Sequence, residues 1–199
     1  RDSYMRIRRA LASNSEYFIE RIFKNLYYLG PIRDYPKRLY GTSGQYPQDV
    51  GIHGERALDV LRLCSDSQHR DIRNVEIQAK KWLKLFNIAD NIELEQIVQG
   101  LYYMIYVIDS ATKMRVNLAD IGFGASQTLP IIIQSFYSAR GSVLLIEQPE
   151  IHLHPRAQSI LGDLFIDAIL NSRRTLVVET HSEHILARVR RRIAEKKLT

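Results

Sequence analysis

Two groups of polar residues directly follow apolar runs in the C-terminal part of the sequence, and both have side chains that can do chemistry. Glu147, Gln148 and Glu150 follow the run Val143–Ile146, and His181 follows a second run. A carboxylate at the end of a rigid strand can hold Mg²⁺ directly or through water. An amide can orient a water molecule but cannot accept its proton at neutral pH. The first group therefore predicts a magnesium site with a water-orienting glutamine beside it.

The order of elements around these residues predicts that they meet. Buried strands are predicted at 142–146 and 175–179, followed by helices at 156–170 and 183–196. Continuous apolar strands that alternate with helices are typical of a parallel sheet covered on both faces. Ligands of such sheets bind outside the carboxyl ends of the strands. The fold class predicted from this half of the chain is α/β, with parallel core strands.

A third candidate site lies in the glycine-rich run 120–127, before a helix predicted at 128–138. Gly122 and Gly124 would let the backbone approach a ligand closely, and a helix N-terminus offers free N–H groups to phosphate. Pro130 is expected in the first helical turn, where its missing N–H is tolerated. The same run is equally compatible with a simple tight turn.

The histidines permit a different interpretation. His152 and His154 are two residues apart, Glu150 precedes them, and His181 and His184 follow later. Histidines with a carboxylate can hold zinc or iron, so a metal-dependent hydrolase is an alternative hypothesis. The other interpretation is that these histidines belong to loops and interfaces.

The first half of the sequence is predicted to be more helical. Helical spacing of apolar residues predicts helices within 4–27, 55–63 and 75–86. A short strand at 27–31 and a surface loop at 33–51 separate the first two regions, and strands at 100–109 and 114–118 follow the third. We predict a division into a helical and loop lobe with an insert at 1–100 and the C-terminal part of the α/β core at 101–199.

Composition limits the class of protein. The 199 residues contain one cysteine, Cys64, which fits a reducing cytoplasm and is expected to pack inside a helix. No apolar run approaches the roughly 20 residues that span a bilayer, and the first residues do not resemble a secretory signal. The net charge is +6, and a basic run at 188–197 could meet nucleic acid or an acidic partner, or could be a solvated or covered helix face.

The sequence resembles one known family in several motifs. The run 147–155 reads Glu-Gln-Pro-Glu-Ile-His-Leu-His-Pro, and 28–33 and 50–55 also look like that family. It is similar to the bacterial AAA-type ATPases of the AAA-15 and AAA-21 groups, which often carry a DUF3696 segment. Through them it resembles the ABC-like heads of structural-maintenance-of-chromosomes proteins and overcoming-lysogenization-defect nucleases. The resemblance implies a P-loop NTPase-like fold, the C-terminal half of an ABC ATPase head.

The resemblance also implies roles for individual residues. Glu147 would be the Walker B residue that binds Mg²⁺, Gln148 would occupy the general-base position, and His181 would be the switch histidine. The signature loop, which would contact ATP held by another subunit, would comprise Gly122, Gly124, Ser126 and Gln127. The run 151–154 would be the D-loop at the dimer interface. Two departures stand out: Gly124 replaces the usual serine, and Gln148 replaces the usual glutamate, so that hydrolysis is expected to be slow unless Glu150 substitutes.

One motif of the family is missing. The sequence contains no Gly-x-x-x-x-Gly-Lys-Ser/Thr, so the phosphate-binding loop is expected in a missing N-terminal half. The lack of an initiator methionine also suggests an internal fragment, which should bind ATP poorly alone. The whole protein is expected to be a homodimer of ATPase heads that regulates a nuclease in phage defence or DNA repair, with DNA as a further candidate partner and no membrane. An ATP-gated scaffold with little turnover is the alternative.

Overall fold

A parallel sheet and an antiparallel sheet form the framework on which the helices pack. The computed structural model describes residues 23–42, 44, 46–67 and 70–197. The helices predicted within residues 4–22 lie outside these ranges. In chain order the elements are β1 (Leu26–Leu29), β2 (Tyr40–Gly41), α1 (Ala57–Asp66), α2 (Arg70–Leu85), β3 (Ala89–Val98), β4 (Tyr102–Asp109), β5 (Arg115–Asn117), α3 (Phe123–Tyr137), β6 (Val143–Glu147), α4 (Pro155–Ser172), β7 (Thr175–Glu179) and α5 (Glu183–Ala194).

The parallel sheet has the strand order β1-β6-β7. Strand β6 is central, with Ile146 in register with Leu29 of β1 and Glu147 in register with Glu179 of β7. Helix α4 connects the two parallel strands β6 and β7, as a parallel pair requires. The predicted alternation of strand and helix is therefore confirmed, and the carboxyl ends of β6 and β7 lie side by side.

The two faces of this sheet differ in their burial. Leu29, Leu144 and Ile146 are fully or almost fully buried and belong to the same core as α3 and α4. On the opposite face Val177 is 53% exposed and Tyr28 38% exposed. The expectation that helices cover both faces is met on only one face by the described residues. The apolar sequence of β7 predicted burial on both faces, but an apolar sequence alone does not show which side chains a helix covers.

The antiparallel sheet has the order β2-β4-β3, with β5 also paired to β4. The β3–β4 pairing extends from Ala89 opposite Asp109 to Val98 opposite Tyr102. Its buried side chains, among them Ile92 and Ile105, join the core that α1 and α2 complete. The division predicted at residue 100/101 falls in the turn of this hairpin and stays a prediction.

Helix α3 begins five residues earlier than predicted, at Phe123 instead of residue 128. Most of the supposed glycine-rich loop is therefore its first turns, with Gly122 as the N-cap. Pro130 consequently lies inside the helix and not in its first turn. Its ring packs on Gly54, where an added Cβ would approach the ring to 2.6 Å. This close packing accounts for a proline at a position that costs a helical hydrogen bond.

Other elements agree with the sequence more closely. Strand β7 has the predicted bounds. Helix α4 begins one residue earlier and ends two residues later than predicted, and α5 begins at the predicted residue and ends two residues earlier. Cys64 is fully buried within α1, as expected. In the described part of the chain, no helix is long and apolar enough to cross a membrane.

Candidate functional site

The carboxyl ends of β6 and β7 are joined by a backbone hydrogen bond that continues the sheet by one residue. The N–H of Gln148 donates to the carbonyl oxygen of Glu179 at 2.8 Å. Gln148 has a φ of 43°, in the left-handed region that favours glycine. A non-glycine residue held there costs of order 1 kcal/mol or more, and such residues concentrate at functional sites. The predicted Gln148 therefore occupies a constrained turn at the edge where ligands of parallel sheets bind.

Glu150 links the two strand ends through its side chain. Its Oε1 accepts a hydrogen bond of 2.6 Å from the backbone N–H of His181. Its Oε2 is buried and has no hydrogen-bond partner among the described residues. The side chain of His181 is exposed. The structure thus brings Gln148, Glu150 and His181 together, with an unsatisfied carboxylate oxygen and an accessible imidazole among them.

The carboxylate of Glu147 lies on the less buried face of the sheet. It is half-buried and in register with Glu179, and Tyr28 of β1 lies on the same face. Burial, hydrogen bonding with Glu147 and the charges of Glu147 and Glu179 raise the pKa of the Tyr28 hydroxyl. The carboxylates of Glu147 and Glu179 supply the hard oxygen donors that suit Mg²⁺. The donor set at Glu147 therefore fits the predicted magnesium.

Arg33 is a buried cation at the same edge, in the loop that follows β1. It is 3% exposed, and its Nη2 donates to the carbonyl oxygen of Glu147 at 2.9 Å. Its Nε and Nη1 are buried and have no acceptor among the described residues. Burial lowers the pKa of Arg33 to about 10, and the charge of Glu150 acts in the opposite direction. Arg33 remains protonated at neutral pH, so a full positive charge is buried next to the last residue of β6.

The predicted D-loop, 151–154, follows this edge in the sequence and packs against α3. Leu153 is buried and lies next to Gly124, where an added Cβ would be 3.6 Å from its Cδ2. His152 has a φ of 62° and an exposed side chain. His154 is the N-cap of α4, and its Nδ1 accepts from the N–H of Arg156 at 3.3 Å. The predicted signature residues and the predicted D-loop are therefore neighbours.

The four predicted phosphate-contacting residues differ in accessibility. Gly122 is exposed and Gly124 half-buried, whereas Ser126 and Gln127 are only 7% and 4% exposed. Helix α3 accounts for this difference, because the later positions turn toward the core. Of the four residues, the two glycines are the ones accessible to a ligand. The N–H groups of the first turn of α3, which have no partner within a helix, lie beside them.

The histidines do not form a metal centre. Among the residues that the structure describes, no three His, Cys, Asp or Glu side chains are grouped so that they could hold one metal ion. His154 also already serves as a helix cap. The interpretation of these histidines as loop residues is the one that the geometry favours.

Several basic residues of the run 188–197 share two carboxylates, those of Asp163 and Glu195. Arg192 forms a two-pronged ion pair with Asp163, at 2.6 and 3.0 Å, and Arg188 lies 3.8 Å from the same carboxylate. Arg191 and Arg192 also pair with Glu195. Two carboxylates cannot balance the six basic side chains of the run, so an excess of positive charge remains on this helix and both interpretations stay open.

A comparison with protein families decides the identity of the fold. A family model described as "AAA ATPase domain" matches residues 55–186, well over half of the chain. The chain belongs to the AAA ATPase domain family. The predicted α/β, P-loop NTPase-like fold is thereby confirmed, and the matched range includes α3, β6, β7 and all eight predicted site residues.

Solved structures also match this AAA ATPase domain, at low identity. One is an Smc head domain with an extended coiled coil, bound to the C-terminal domain of ScpA, from Pyrococcus furiosus. It has 16% identity and a TM-score of 0.45, over 58% of this chain and 30% of that one. Another is an SmcHead bound to the C-winged helix domain of ScpA, with 15% identity and a TM-score of 0.48, over 67% and 44%. This chain thus spans less than half of either head. No curated protein matches its sequence significantly.

Three residues of this edge were not predicted as site residues: Tyr28, Arg33 and Glu179. Glu179 ends a predicted strand, but its pairing with Glu147 depends on the register of β6 and β7. Arg33 reaches its partner across 114 positions of sequence. The motif at 28–33 was the only sequence signal that pointed to Tyr28 and Arg33.

Proposed function

We propose that this AAA ATPase domain is the C-terminal half of a head that binds and hydrolyses ATP with Mg²⁺ at the carboxyl edge of β6 and β7. The observation that carries the proposal is the joining of Glu150 to His181, which places the four polar residues of two separate strands at one edge. A phosphate-binding loop is absent from the sequence. The proposal therefore places that loop in another part of a longer protein.

Each residue of the edge has a distinct part in the proposed reaction. Glu147 would hold Mg²⁺, which when bound neutralises phosphate charge. Gln148 would orient the attacking water through its side-chain amide. Glu150 would hold the loop of His181 through its hydrogen bond from the His181 N–H, and the exposed imidazole of His181 would contact the terminal phosphate. The backbone of the Gln148 turn is fixed by its bond to Glu179, so these groups require little reorganisation.

The start of α3 supports the proposal that two heads enclose ATP. Gly122 and Gly124 are the accessible members of the predicted signature residues, and free N–H groups at a helix N-terminus attract phosphate. Since the helix contacts the predicted D-loop through Leu153, both would lie at the interface of a homodimer. Light scattering of the longer protein should show the mass double on addition of Mg-ATP. A mass that does not change would refute the dimer.

Phosphate release by the longer protein tests the proposed activity. Glu147→Gln and His181→Ala should each lower kcat by roughly ten-fold or more, because each removes a group placed at the phosphate chain. Glu95→Gln is the matched control, since Glu95 is an exposed carboxylate on β3 that pairs with Arg115. Equal turnover by all three variants would exclude this edge as the site.

An ATP-gated scaffold is the second candidate, and the amide of Gln148 favours it. An amide cannot take a proton from water at neutral pH, so nucleotide could bind and close the dimer with hardly any turnover. Replacing Gln148 with glutamate discriminates between the two. A large rise in phosphate release supports the scaffold, and unchanged release supports another base such as Glu150. Gln96→Glu, on an exposed part of β3, is the control.

The partner regulated by the head is a further part of the proposal. Family resemblance suggests a nuclease in phage defence or DNA repair, and the basic run 188–197, whose cations outnumber their carboxylate partners, is a candidate surface for DNA. Co-purification of the longer protein with a nuclease, and nuclease activity that depends on ATP, would support this role. Nuclease activity unchanged by ATP would contradict it.

A further inference from the structure

Arg33 carries a buried positive charge, and most of its hydrogen-bond donors lack acceptors among the described residues. A guanidinium that is 3% exposed has left water at a high cost unless its donors find acceptors. Within the described residues the Arg33 guanidinium makes one hydrogen bond, from Nη2 to the carbonyl oxygen of Glu147. The other buried donors, Nε and Nη1, lack acceptors among the described residues. A cation kept in such a place needs a compensating group close by.

Glu150 is the complementary group. Its Oε2 is also buried and also lacks a hydrogen-bond partner among the described residues. Arg33 is joined to the carbonyl oxygen of Glu147, three residues before Glu150, and the charge of Glu150 acts to raise the pKa of Arg33 against the effect of burial. The two form no ion pair within 4 Å, although both are among the described residues. Two opposite charges, each with buried hydrogen-bonding atoms that lack partners among the described residues, are therefore held at the end of β6.

We propose that Arg33 is a positioning residue of the ATPase site, which holds the end of β6 through the Glu147 carbonyl and fixes Glu150 by charge. Glu150 in turn holds the backbone of His181. Arg33 contacts the end of β6 and Glu150 contacts the loop after β7, so the proposed charge pairing would connect the loops that follow all three parallel strands. Its kinetic consequence rests on the proposed function, whereas its effect on folding stability does not.

Thermal unfolding of the present chain, without nucleotide, tests the charge pairing. Arg33→Met and Glu150→Gln each leave one buried charge uncompensated, and the glutamine keeps an acceptor for His181. Each variant should melt on the order of 10 °C lower than the wild type. The drop in melting temperature of the double variant should be much smaller than the sum of the drops of the two single variants, because the double variant removes both charges. Strictly additive losses would overturn the proposal.

Arg174 offers a matched control. It too is buried, with a pKa that burial lowers to about 10, and its guanidinium binds the carbonyl oxygens of Phe136 and Ser138 at the end of α3. Arg174→Met combined with Glu150→Gln should therefore give additive losses. Non-additivity with Arg174 as large as that with Arg33 would show that the coupling is not specific, and would overturn the pairing.

Steady-state kinetics of the longer protein test the positioning role. Arg33→Met should lower kcat about 10- to 100-fold and change the KM for ATP less than about three-fold, with Arg33→Lys intermediate. A higher KM at unchanged kcat would mean that Arg33 grips ATP itself, and unchanged kinetics would mean that it has no role; both overturn the proposal. If Arg33→Met does not fold, the lysine variant decides. A wild-type protein without turnover would refute the proposed function, and the thermal cycle would still decide the pairing.

Discussion

At the scale of single residues, the site is defined by unusual local states at the end of β6. Gln148 adopts a left-handed backbone, Glu150 keeps an unpaired buried oxygen, and Arg33 keeps unpaired buried donors. The sequence predicted Gln148 and Glu150, because their position after an apolar strand can be read directly. It could not show Arg33 or Glu179 as site residues, because their roles arise from contacts between distant strands.

The backbone of Gln148 leads to a prediction about stability and activity together. Gln148→Gly should raise the free energy of unfolding by about 0.5–1 kcal/mol, because glycine adopts a φ of 43° without steric cost. It should also lower phosphate release by the longer protein, since it removes the amide that we propose orients the attacking water. Arg173→Gly is the control, because Arg173 has a φ of 50° at the end of α4, away from the site. Loss of turnover in both variants, or in neither, would contradict the role given to Gln148.

Cys64 gives a simpler prediction. It is fully buried in α1, and burial raises the pKa of its thiol to about 12. Since the thiolate is the reactive form, iodoacetamide at pH 8 should leave the folded protein unmodified. Mass spectrometry should show one modification per chain in guanidinium chloride, because Cys64 is the single cysteine. Rapid modification of the folded protein would show that α1 does not cover this side chain.

At the scale of elements, the strands of the parallel sheet and the C-terminal helices follow the prediction closely, whereas β2, β3 and the start of α3 do not: β2 lies in the predicted loop, and no strand was predicted at 89–98. Glycines and a proline obscured the first turns of α3: Gly122 is the N-cap, and Pro130 lies inside the helix against Gly54. A helix that tolerates an internal proline depends on tertiary packing, and single-sequence patterns do not contain that packing. The exposed face of β7 is a second example, since burial depends on neighbouring layers.

The contact between Gly54 and Pro130 can be tested against a glycine of similar backbone. Gly54 has a φ of +73° and Gly100 a φ of +72°, but only at Gly54 would an added Cβ meet another residue. Gly100→Ala should lower the free energy of unfolding by about 1 kcal/mol, the cost of the backbone state. Gly54→Ala should lower it by a further 1–3 kcal/mol or so, because the Cβ clashes with the proline ring. Equal losses in urea unfolding would show that the ring is free to move away.

At the scale of the whole molecule, the positive net charge and the exposed face of the parallel sheet are the features that suit an AAA ATPase domain within a longer protein. The net charge of +6 suggests a nucleic-acid surface, and the arginines of α5 share only the carboxylates of Asp163 and Glu195, so that helix keeps an excess of positive charge. The parallel sheet exposes Val177 and Tyr28 on one face, beside the carboxylates of Glu147 and Glu179. Net charge is visible in a sequence, but its pairing is not, which is why the basic run was ambiguous.

The magnesium dependence of ATP hydrolysis by the longer protein tests the central claim most directly. If Glu147 holds Mg²⁺ at the carboxyl edge of β6, Glu147→Gln should raise the Mg²⁺ concentration for half-maximal phosphate release by roughly ten-fold or more. Glu95→Gln, which removes an exposed carboxylate from β3, should leave it unchanged. The same magnesium dependence in wild type and Glu147→Gln would contradict the assignment of this edge as the ATP site.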